Sequence, residues 1–431
     1  MLELAAKIPN ATAAGPFGSN LVSRDYTESG VPVIRGQNLI SRWIGGEFVF
    51  VSEAKAKKLR TNTARPGDIV FTQRGTLGQV ALVPEAAFPV YVISQSQMKL
   101  TVDPAKADRG YVYYACTSAH FIRQVHDNAV AAGVPHINLR TLRNLTVPLP
   151  PRGEQRRISA FLGCLDDRID LLRQTNITLE AIAQALFKSW FVDFDPVRAK
   201  AEGREPEGMD AATAALFPSE FKDSELGLIP KGWRVRSLDS FATYLNGLAL
   251  QRFPPESDSE YLPVIKIAQL RAGHTSGADR ASARLKPDYI VRDGDVLFSW
   301  SGSLEVEFWC GGDGALNQHL FKVTSGEVPN WFCYQATKHF LPSFRETAAN
   351  KATTMGHIQR RHLTEARLAL PSSEFLNAVS PLIASLSDKR VCNALQAREI
   401  ASLRDTLLPR LISGKLRLPE AESLIETTEM A

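Results

Sequence analysis

Arg, Lys, Asn, Gln and Ser side chains recur where apolar runs of the sequence give way to polar segments that contain Gly. Side chains of these types hydrogen-bond the edges of DNA bases and the oxygens of DNA phosphates. Arg74 illustrates the pattern, because it lies in TQRGTLG directly after the apolar run DIVF. A loop after a strand can carry such a side chain into a DNA groove. A solvated arginine on a turn explains the same spacing.

Each half of the chain supplies a set of predicted DNA contacts. The first set is Arg35, Gln37, Asn38, Gln73, Arg74, Thr76, Asn138 and Arg140. The second set is Lys266, Gln269, Arg271, Ser301, Ser303, Arg360 and Arg361. The last residues of both sets lie in HINLR (136–140) and HIQRR (357–361), where phosphate contact competes with an ordinary helix start or turn.

Several neighbours of these residues are predicted to be structural. Gln95 and Gln97, like Gln318 and His319, are expected to satisfy buried backbone groups. Trp300 is expected to shield the core, with packing against a thymine methyl group or a sugar as the alternative.

Motifs of catalysis and of metal binding are missing from the sequence. It contains no GxxxxGK[ST] loop for ATP phosphates and no HExxH motif. The DFDP string at 193–196 lacks the second proline and the aromatic residue of adenine methyltransferase motifs. The five cysteines form no CxxC pair, so we expect reduced, mostly buried thiols. We predict no catalytic residue, no metal site and no cofactor in this chain.

Four strings of the sequence recur in the same order. The offset between partners falls from 231 to 221, as expected if only loops differ in length. Such collinear matches predict an internal duplication. The pairs are PVIRGQNL (32–39) with PVIKIAQL (263–270), GDIVF (67–71) with GDVLF (294–298), ISQSQMKL (93–100) with LNQHLFKV (316–323), and HINLRTLRNLTVPLP (136–150) with HIQRRHLTEARLALP (357–371).

Each copy combines short strands with one long helix. DIVF, QVALV, YVIS, DVLF and HLFKV are typical of strands. Apolar residues then recur at helical spacing from about Glu154 to Trp190, and again from Leu376 to Leu411. This narrow seam is typical of a coiled coil, although periodicity alone also fits a helical bundle. We predict an α+β fold with two α/β domains, two long antiparallel helices between them and a pseudo-twofold internal repeat.

The end of the first long helix is marked by aromatic residues and a proline. Trp190, Phe191 and Phe194 are expected to lie in the core or in a partner interface rather than to stack on bases. Pro196 is predicted to close the helix, and 197–221 to form an exposed connector.

Length and charge limit the class of protein. A chain of 431 residues is long enough for two or three domains. Residues 1–150 carry 16 Lys and Arg against 10 Asp and Glu, a difference of +6 in a chain of net charge +4. This modest basic bias permits nucleic-acid binding. We see no signal peptide and no apolar run of membrane-spanning length, so we expect a cytoplasmic protein without a membrane partner.

Four longer strings resemble the specificity subunits of type I restriction-modification systems. GPFGSNL (15–21) and ELGLIPKGWRVRSL (225–238) are similar to the openings of their two target-recognition domains. ALFKSWFVDFDPV (185–197) and LRDTLLPRLISGKLRL (403–418) are similar to the ends of their two helical regions. The resemblance covers nearly the whole chain. One departure is that the first copy starts too close to Met1 to hold a full equivalent of IPKGWRVRSL.

The resemblance implies a non-catalytic subunit in which each target-recognition domain reads one half of a bipartite double-stranded DNA target. The helices would fix the gap between the halves and dock two methyltransferase subunits, which restriction subunits then join. S-adenosylmethionine, ATP and magnesium are expected on those partners. The predicted division is 1–150 and 206–371 for the two recognition domains, and 151–205 and 372–431 for the helical regions.

Other classes of protein remain as alternatives. The first is a stand-alone regulator that binds a bipartite DNA site without partners. A methyltransferase with a fused recognition domain would need a cofactor loop and a catalytic motif. A coiled-coil scaffold would not explain the strand-rich, duplicated domains.

Overall fold

The chain forms two compact units. The computed structural model describes residues 1–85, 87–130, 133–350 and 356–421. Unit 1 combines Met1–Ile169 with the segment that starts at Ile400, and unit 2 is Asp170–Glu399. Unit 1 is therefore built from two separate stretches of sequence. The division predicted from the sequence (1–150, 151–205, 206–371 and 372–431) instead assigns each domain one continuous stretch.

Unit 1 contains two sheets and a set of short helices. Its strands are β1 (Thr12–Ala14), β2 (Tyr26–Thr27), β3 (Val31–Ile34), β4 (Val49–Val51), β5 (Thr63–Ala64), β6 (Ile69–Thr72), β7 (Val80–Leu82), β8 (Tyr91–Ile93) and β9 (Gln97–Leu100). Its helices are α1 (Glu53–Lys58), α2 (Arg109–Thr117), α3 (Ala119–Asp127) and α4 (Leu139–Asn144). The long helix α5 (Arg152–Phe191) begins in this unit.

Unit 2 repeats this composition and adds a hairpin. Its strands are β10 (Phe221–Ser224), β11 (Gly227–Pro230), β12 (Arg234–Ser237), β13 (Thr243–Asn246), β14 (Leu262–Ile265), β15 (Arg280–Ala281), β16 (Ile290–Val291), β17 (Val296–Ser299), β18 (Val306–Phe308), β19 (Gly314–Leu316), β20 (Leu320–Thr324) and β21 (Arg367–Leu370). Its helices are α6 (Asp195–Ala201), α7 (Ala211–Leu216), α8 (Leu238–Phe241), α9 (Ile267–Ala272), α10 (Asn330–Asn350), α11 (Arg360–Glu365) and the long α12 (Ser373–Ile412), which ends in unit 1.

The two units share one strand topology. A four-stranded sheet has the order β1-β9-β6-β7 in unit 1 and β13-β20-β17-β18 in unit 2. A second sheet contains one parallel pair in each unit, β3 with β8 and β14 with β19. These strands carry the recurring strings, which confirms the predicted strands and the α+β fold with two domains and two long helices.

A lysine–aspartate pair explains why two of the strings recur. Lys99 Nζ lies 2.9 Å from Asp68 Oδ2, and Lys322 Nζ lies 2.8 Å from Asp295 Oδ2. Each aspartate also accepts a hydrogen bond from the backbone N–H three residues earlier. The Asp of GDIVF or GDVLF thus closes the turn before one strand and neutralises the Lys of the neighbouring strand.

A glycine follows the first strand of this sheet in both units. A Cβ atom at Gly15 would lie 1.9 Å from the Ser94 carbonyl oxygen, and one at Gly247 would lie 2.2 Å from that of Asn317. Only glycine lets the two backbones approach so closely. The segments after Gly15 and Gly247 are therefore held against the turn that leads into β9 or β20.

The ends of both long helices complete the core of unit 1. Leu407 and Leu411 of α12 are buried with Ile158 and Leu162 of α5, in the same cluster as the strands. The segment after α12 adds buried Leu416 to this core. The predicted division at residue 150 therefore leaves out apolar side chains that unit 1 needs.

Aromatic side chains fill the core of unit 2. Trp190, Phe191 and Phe194 are all buried there, which confirms their predicted place in the core. The prediction that Pro196 closes the first long helix is wrong, because α5 ends at Phe191 and Pro196 lies in the first turn of α6. Val197 is fully buried, so the expected exposed connector starts only after α6.

The two long helices pair within each unit. In unit 1, Arg404 Nη1 of α12 donates to Asp166 Oδ1 of α5 at 2.5 Å. In unit 2, Asn393 Nδ2 donates to Asn176 Oδ1 at 2.9 Å, and Asn176 Nδ2 donates to the Arg390 carbonyl oxygen at 2.9 Å. Within unit 2, Asn176 pairs with Asn393 and Glu180 pairs with Arg390, so the partner numbers on α12 fall as the numbers on α5 rise, which confirms the antiparallel pairing. Asn393 is buried and Asn176 is half-buried, and an Asn pair in such a seam fixes the register of the helices.

Besides the β10–β11 hairpin, a second strand pair of unit 2 has no counterpart in unit 1. β12 pairs with β21 through Arg234–Ser237 and Arg367–Leu370, whereas residues 145–151 of unit 1 form no strand. None of the helices in the described ranges combines the length and apolar character needed to cross a bilayer.

The buried pair in unit 1 gives a stability prediction. Asp68→Ala leaves the Lys99 ammonium, whose side chain is only 7% exposed, without its counter-ion. We expect a loss of about 3 kcal/mol in the free energy of unfolding, measured by urea denaturation. Glu220→Ala is the control, since it breaks a pair whose side chains are both more than 60% exposed. Equal, negligible losses in both variants would contradict the structural role of the Asp68–Lys99 pair.

Candidate nucleic-acid interface

Three loops of unit 1 meet at one end of the sheet that contains β6 and β9. Arg74, after β6, forms a backbone bridge with His136, just before α4. The Gly75 N–H also donates to the Pro135 carbonyl oxygen at 3.2 Å. The Gln73 N–H donates to the Ser96 carbonyl oxygen at 2.7 Å, which joins the turn between β8 and β9. Backbone hydrogen bonds thus hold these loops in one arrangement.

The loops enclose a concave site of about 250 Å³ in unit 1. Arg74 and Thr76 are exposed and Gln73 is half-buried, so all three side chains are available to a ligand. Gln73 Nε2 donates to the Gln95 carbonyl oxygen at 3.2 Å. The site is lined by Gly15, Pro16, Phe17, Gly18, Gln73, Arg74, Gln95 and His136.

The first predicted cluster, Arg35, Gln37 and Asn38, separates into different roles. Asn38 is completely buried: its Oδ1 accepts from the Arg35 N–H, and its Nδ2 donates to the Gly45 and Glu47 carbonyl oxygens. We therefore revise Asn38 from a DNA contact to a residue that shapes the loop. Gln37 is exposed, and its Nε2 donates a long hydrogen bond of 3.3 Å to the Glu47 carbonyl oxygen. Arg35 is half-buried, and its Nε has no hydrogen-bond partner in the described ranges.

Asn138 and Arg140 lie at the start of α4. The Asn138 side chain caps this helix by accepting from the Thr141 N–H at 2.9 Å, as the alternative reading of HINLR expected. The residue is nevertheless exposed. Arg140 is exposed as well.

Four of the predicted cations have no ion-pair or side-chain hydrogen-bond partner among the described residues. They are all exposed, and two belong to each unit. Unpaired surface guanidinium groups pay no cost of breaking an internal ion pair when they meet a phosphate or a guanine edge. These residues are Arg74, Arg140, Arg271 and Arg361.

Unit 2 builds the same loop junction from different side chains. Ser301 forms the backbone bridge with His357 that Arg74 forms with His136 in unit 1. Ser301 is buried, and its hydroxyl lies 3.0 Å from Nδ1 of His319. The prediction of a DNA contact at Ser301 is therefore revised to a structural role, whereas Ser303, two residues further, is exposed.

Trp300 and Arg360 stabilise this junction. Trp300 Nε1 donates to Asn246 Oδ1 at 3.0 Å, and its half-buried ring packs against the core, as expected. Arg360 Nη2 donates to the Tyr244 carbonyl oxygen at 3.1 Å and lies over the Phe321 ring. The guanidinium of Arg360 is thus anchored from one side while the residue remains exposed.

Lys266 precedes α9 of unit 2, and Gln269 lies in the first turn of that helix. Gln269 Oε1 accepts from the Lys266 N–H at 3.3 Å and so caps the helix. Lys266 Nζ is ion-paired with Asp279. A DNA phosphate would have to compete with that carboxylate for Lys266.

The predicted structural glutamines differ in exposure. Gln97 is completely buried. Gln95 is exposed, but its Nε2 donates to the carbonyl oxygens of Gly18 and Leu21, which ties the segment after β1 to the β8–β9 turn.

The thiols do not form a reactive centre. Burial raises the pKa of Cys333 to about 12, and burial also raises the pKa of Cys116. These groups therefore stay protonated at neutral pH and are poor nucleophiles. Cys164 and Cys392 are exposed, so the expectation of mostly buried thiols holds only in part. Within the described residues, no group of three or more His, Cys, Asp or Glu side chains could hold a metal ion.

Sequence reasoning missed one residue of the unit 1 site. Phe17 lines the concave site and is 80% exposed, more than any other large apolar side chain described. The sequence did contain a signal for Phe17: it stands between Pro16 and Gly18, where a loop rather than a core position is expected.

Comparison with protein families gives one match. Residues 22–181 match the family described as "Type I restriction modification DNA specificity domain". This range covers much of unit 1 and most of α5.

Curated relatives match over most of the chain. It is 24% identical over 327 residues to the type I restriction enzyme HindI specificity subunit of Haemophilus influenzae, covering 65% of this chain and 71% of that relative. It is 23% identical over 414 residues to the MjaIX specificity subunit of Methanocaldococcus jannaschii, covering 92% and 89%.

A solved structure shares the fold. The S subunit of a type I restriction-modification system from M. genitalium matches with a TM-score of 0.51 and 16% sequence identity, over 93% of each chain.

Paired substitutions test the division between loop-shaping and ligand-facing residues. Asn38→Ala removes three internal hydrogen bonds, so we expect a loss of about 2 kcal/mol in the free energy of unfolding, measured by urea denaturation. Arg74→Ala removes an exposed side chain without an internal partner and should leave the unfolding midpoint unchanged. A stable Asn38→Ala protein, or a destabilised Arg74→Ala protein, would reverse the roles assigned above.

Proposed function

We propose that this chain is a type I restriction-modification specificity subunit that reads a bipartite double-stranded DNA target and positions catalytic subunits on it, which the match of residues 22–181 and the curated relatives support. Unit 1 reads one half of the target and unit 2 reads the other. The chain itself transfers no methyl group and cuts no DNA. Two methyltransferase subunits and the restriction subunits supply these activities, and S-adenosylmethionine, ATP and magnesium bind to them.

One observation carries this proposal. The same loop junction is built twice, and the residue at its centre changes from exposed Arg74 to buried Ser301. The scaffold residues, such as the Asp68–Lys99 and Asp295–Lys322 pairs, stay the same. Two readers of different base sequences require this combination, because the scaffold must be kept while the base-facing side chains differ.

Two kinds of DNA contact are expected: some arginines bind DNA phosphates, and loop side chains recognise the bases. Arg140, Arg271 and Arg361 are suited to phosphates, which fix the position of the protein on the duplex. Arg74, at the tip of a loop held by backbone bonds, is suited to a bidentate contact with guanine O6 and N7. Because its loop is already ordered, little conformational entropy is lost on binding.

The paired helices act as the spacer between the two half-sites. α5 has 40 residues and extends for about 60 Å at ~1.5 Å per residue. The Asn176–Asn393 pair fixes the register of α5 against α12 in unit 2. A helix pair of fixed length and register gives a target with a fixed, unread gap.

Domain exchange followed by a methylome tests the proposal. The full chain is expressed with its methyltransferase subunits, and residues 1–150 are replaced by those of a relative with a different target. We expect methylated adenine in each half of a bipartite motif, and a change in one half only after the exchange. The purified chain alone should incorporate no labelled methyl group.

Three results would count against the proposal. They are modified cytosine in place of adenine, a change in both halves after the exchange, and methyl transfer by the chain alone. Specific DNA binding without any partner subunit, and without effect on methylation, would favour the stand-alone regulator.

A further inference from the structure

The most exposed apolar side chain of the described residues lies at the proposed DNA-reading face of unit 1. Phe17 is 80% exposed and shares the concave site with Arg74 and Gln73. Leaving a phenylalanine ring in water costs free energy that burial would recover. A single exposed ring is unremarkable elsewhere on a surface, but this one stands next to an unpaired guanidinium.

Close packing and hydrogen bonds on both sides of Phe17 fix its backbone. Gly15 packs against the Ser94 carbonyl so closely that a Cβ atom would clash. Gln95 Nε2 donates to the carbonyl oxygens of Gly18 and Leu21, on the other side of Phe17. Gly18 has a φ of +58°, a conformation that favours glycine and turns the chain immediately after the ring. Phe17 is therefore displayed from a fixed segment.

The corresponding position of unit 2 lacks an aromatic residue. Phe17 precedes a short 3₁₀ helix two residues after Gly15, and Ala249 precedes one two residues after Gly247. The place along the chain is thus equivalent, but the side chain changes from a phenyl ring to a methyl group, and Leu250 lacks the positive φ that turns the chain at Gly18. Any role of the Phe17 ring is therefore specific to unit 1.

We propose that Phe17 is a wedge that enters the DNA at the half-site read by unit 1 and partly unstacks one base step. This inference rests on the proposed function and extends it to a specific contact. A phenyl ring has no hydrogen-bonding group, so it cannot read base edges as Arg74 can. A phenyl ring can pack against a thymine methyl group, or it can insert between base steps and kink the duplex; only insertion removes base stacking.

An opened base step fits the chemistry assigned to the partner subunits. A methyltransferase must rotate its adenine out of the duplex, and loss of stacking is part of the cost of this rotation. A wedge held by unit 1 lowers the stacking that remains near the adenine of that half. Unit 2, with Ala249, leaves the stacking of its half to the methyltransferase alone.

The test uses the full chain with its methyltransferase subunits and duplexes that carry 2-aminopurine. The fluorescent base is placed at successive positions of both half-sites, except at the methylated adenines, because its fluorescence rises when stacking is lost. We expect an increase at one step of the half read by unit 1. Phe17→Ala should abolish this increase and, through lost apolar burial, weaken binding roughly tenfold, whereas Phe17→Leu should retain part of both.

Ile40→Ala is the matched control, because Ile40 is a 72% exposed apolar residue of unit 1 that does not line the concave site. It should behave as wild type. An unchanged signal and affinity in Phe17→Ala, with wild-type binding intact, would overturn the wedge alone. Failure of the wild-type complex to bind a bipartite target would overturn the proposed function, and the wedge with it.

Discussion

A carboxylate on the first long helix, buried in unit 1 and half-buried in unit 2, links the strand-rich domain of each unit to the helix pair. In unit 1, Asp166 accepts from the Tyr114 hydroxyl at 2.6 Å and from Arg404 at 2.5 Å. In unit 2, Glu180 accepts from the Tyr334 hydroxyl at 3.0 Å and is ion-paired with Arg390. Burial, together with the nearby Asp166 charge, raises the pKa of Tyr114, so its hydroxyl keeps the proton that it donates. Removing any member leaves a buried polar group unsatisfied, which is costly in a low-dielectric interior.

This link explains why each unit needs residues that are distant in sequence. The core of unit 1 is closed by Leu407 and Leu411 of α12 as well as by α5. A recognition domain that buries the ends of both helices cannot turn freely against them. The orientation of the loops in each unit therefore follows from the helices of that unit, and duplication of the domain also duplicates this constraint. The copies differ in loop side chains such as Phe17 and Ala249, and unit 2 adds the β10–β11 hairpin and the β12–β21 strand pair.

The sequence predicted the scaffold better than the site, for a physical reason. Strands and long helices leave a periodic apolar pattern, and the duplication doubled that signal. Asn38 and Ser301 are short polar residues in loops, as Thr76 and Ser303 are, and only the fold decides which of them turn inward to satisfy backbone groups. The burial of Pro196 and Val197 depends on the aromatic core of unit 2, which no local pattern reveals. The membership of the C-terminal helix end in unit 1 is likewise a long-range property.

The central claim is that the paired helices convert their length into the spacing of the DNA target. The most direct measurement is the methylome of a variant with seven residues inserted in each helix, between Thr175 and Asn176 and between Asn393 and Ala394. A whole heptad keeps the apolar seam in phase and preserves the Asn176–Asn393 pair. The account predicts unchanged half-sites with a gap longer by about two to three base pairs, since seven residues add about 10 Å. The same seven residues inserted after Gly203, in the exposed turn that follows α6, should leave the gap unchanged. Full activity of the double-insertion variant at the original gap would contradict the account.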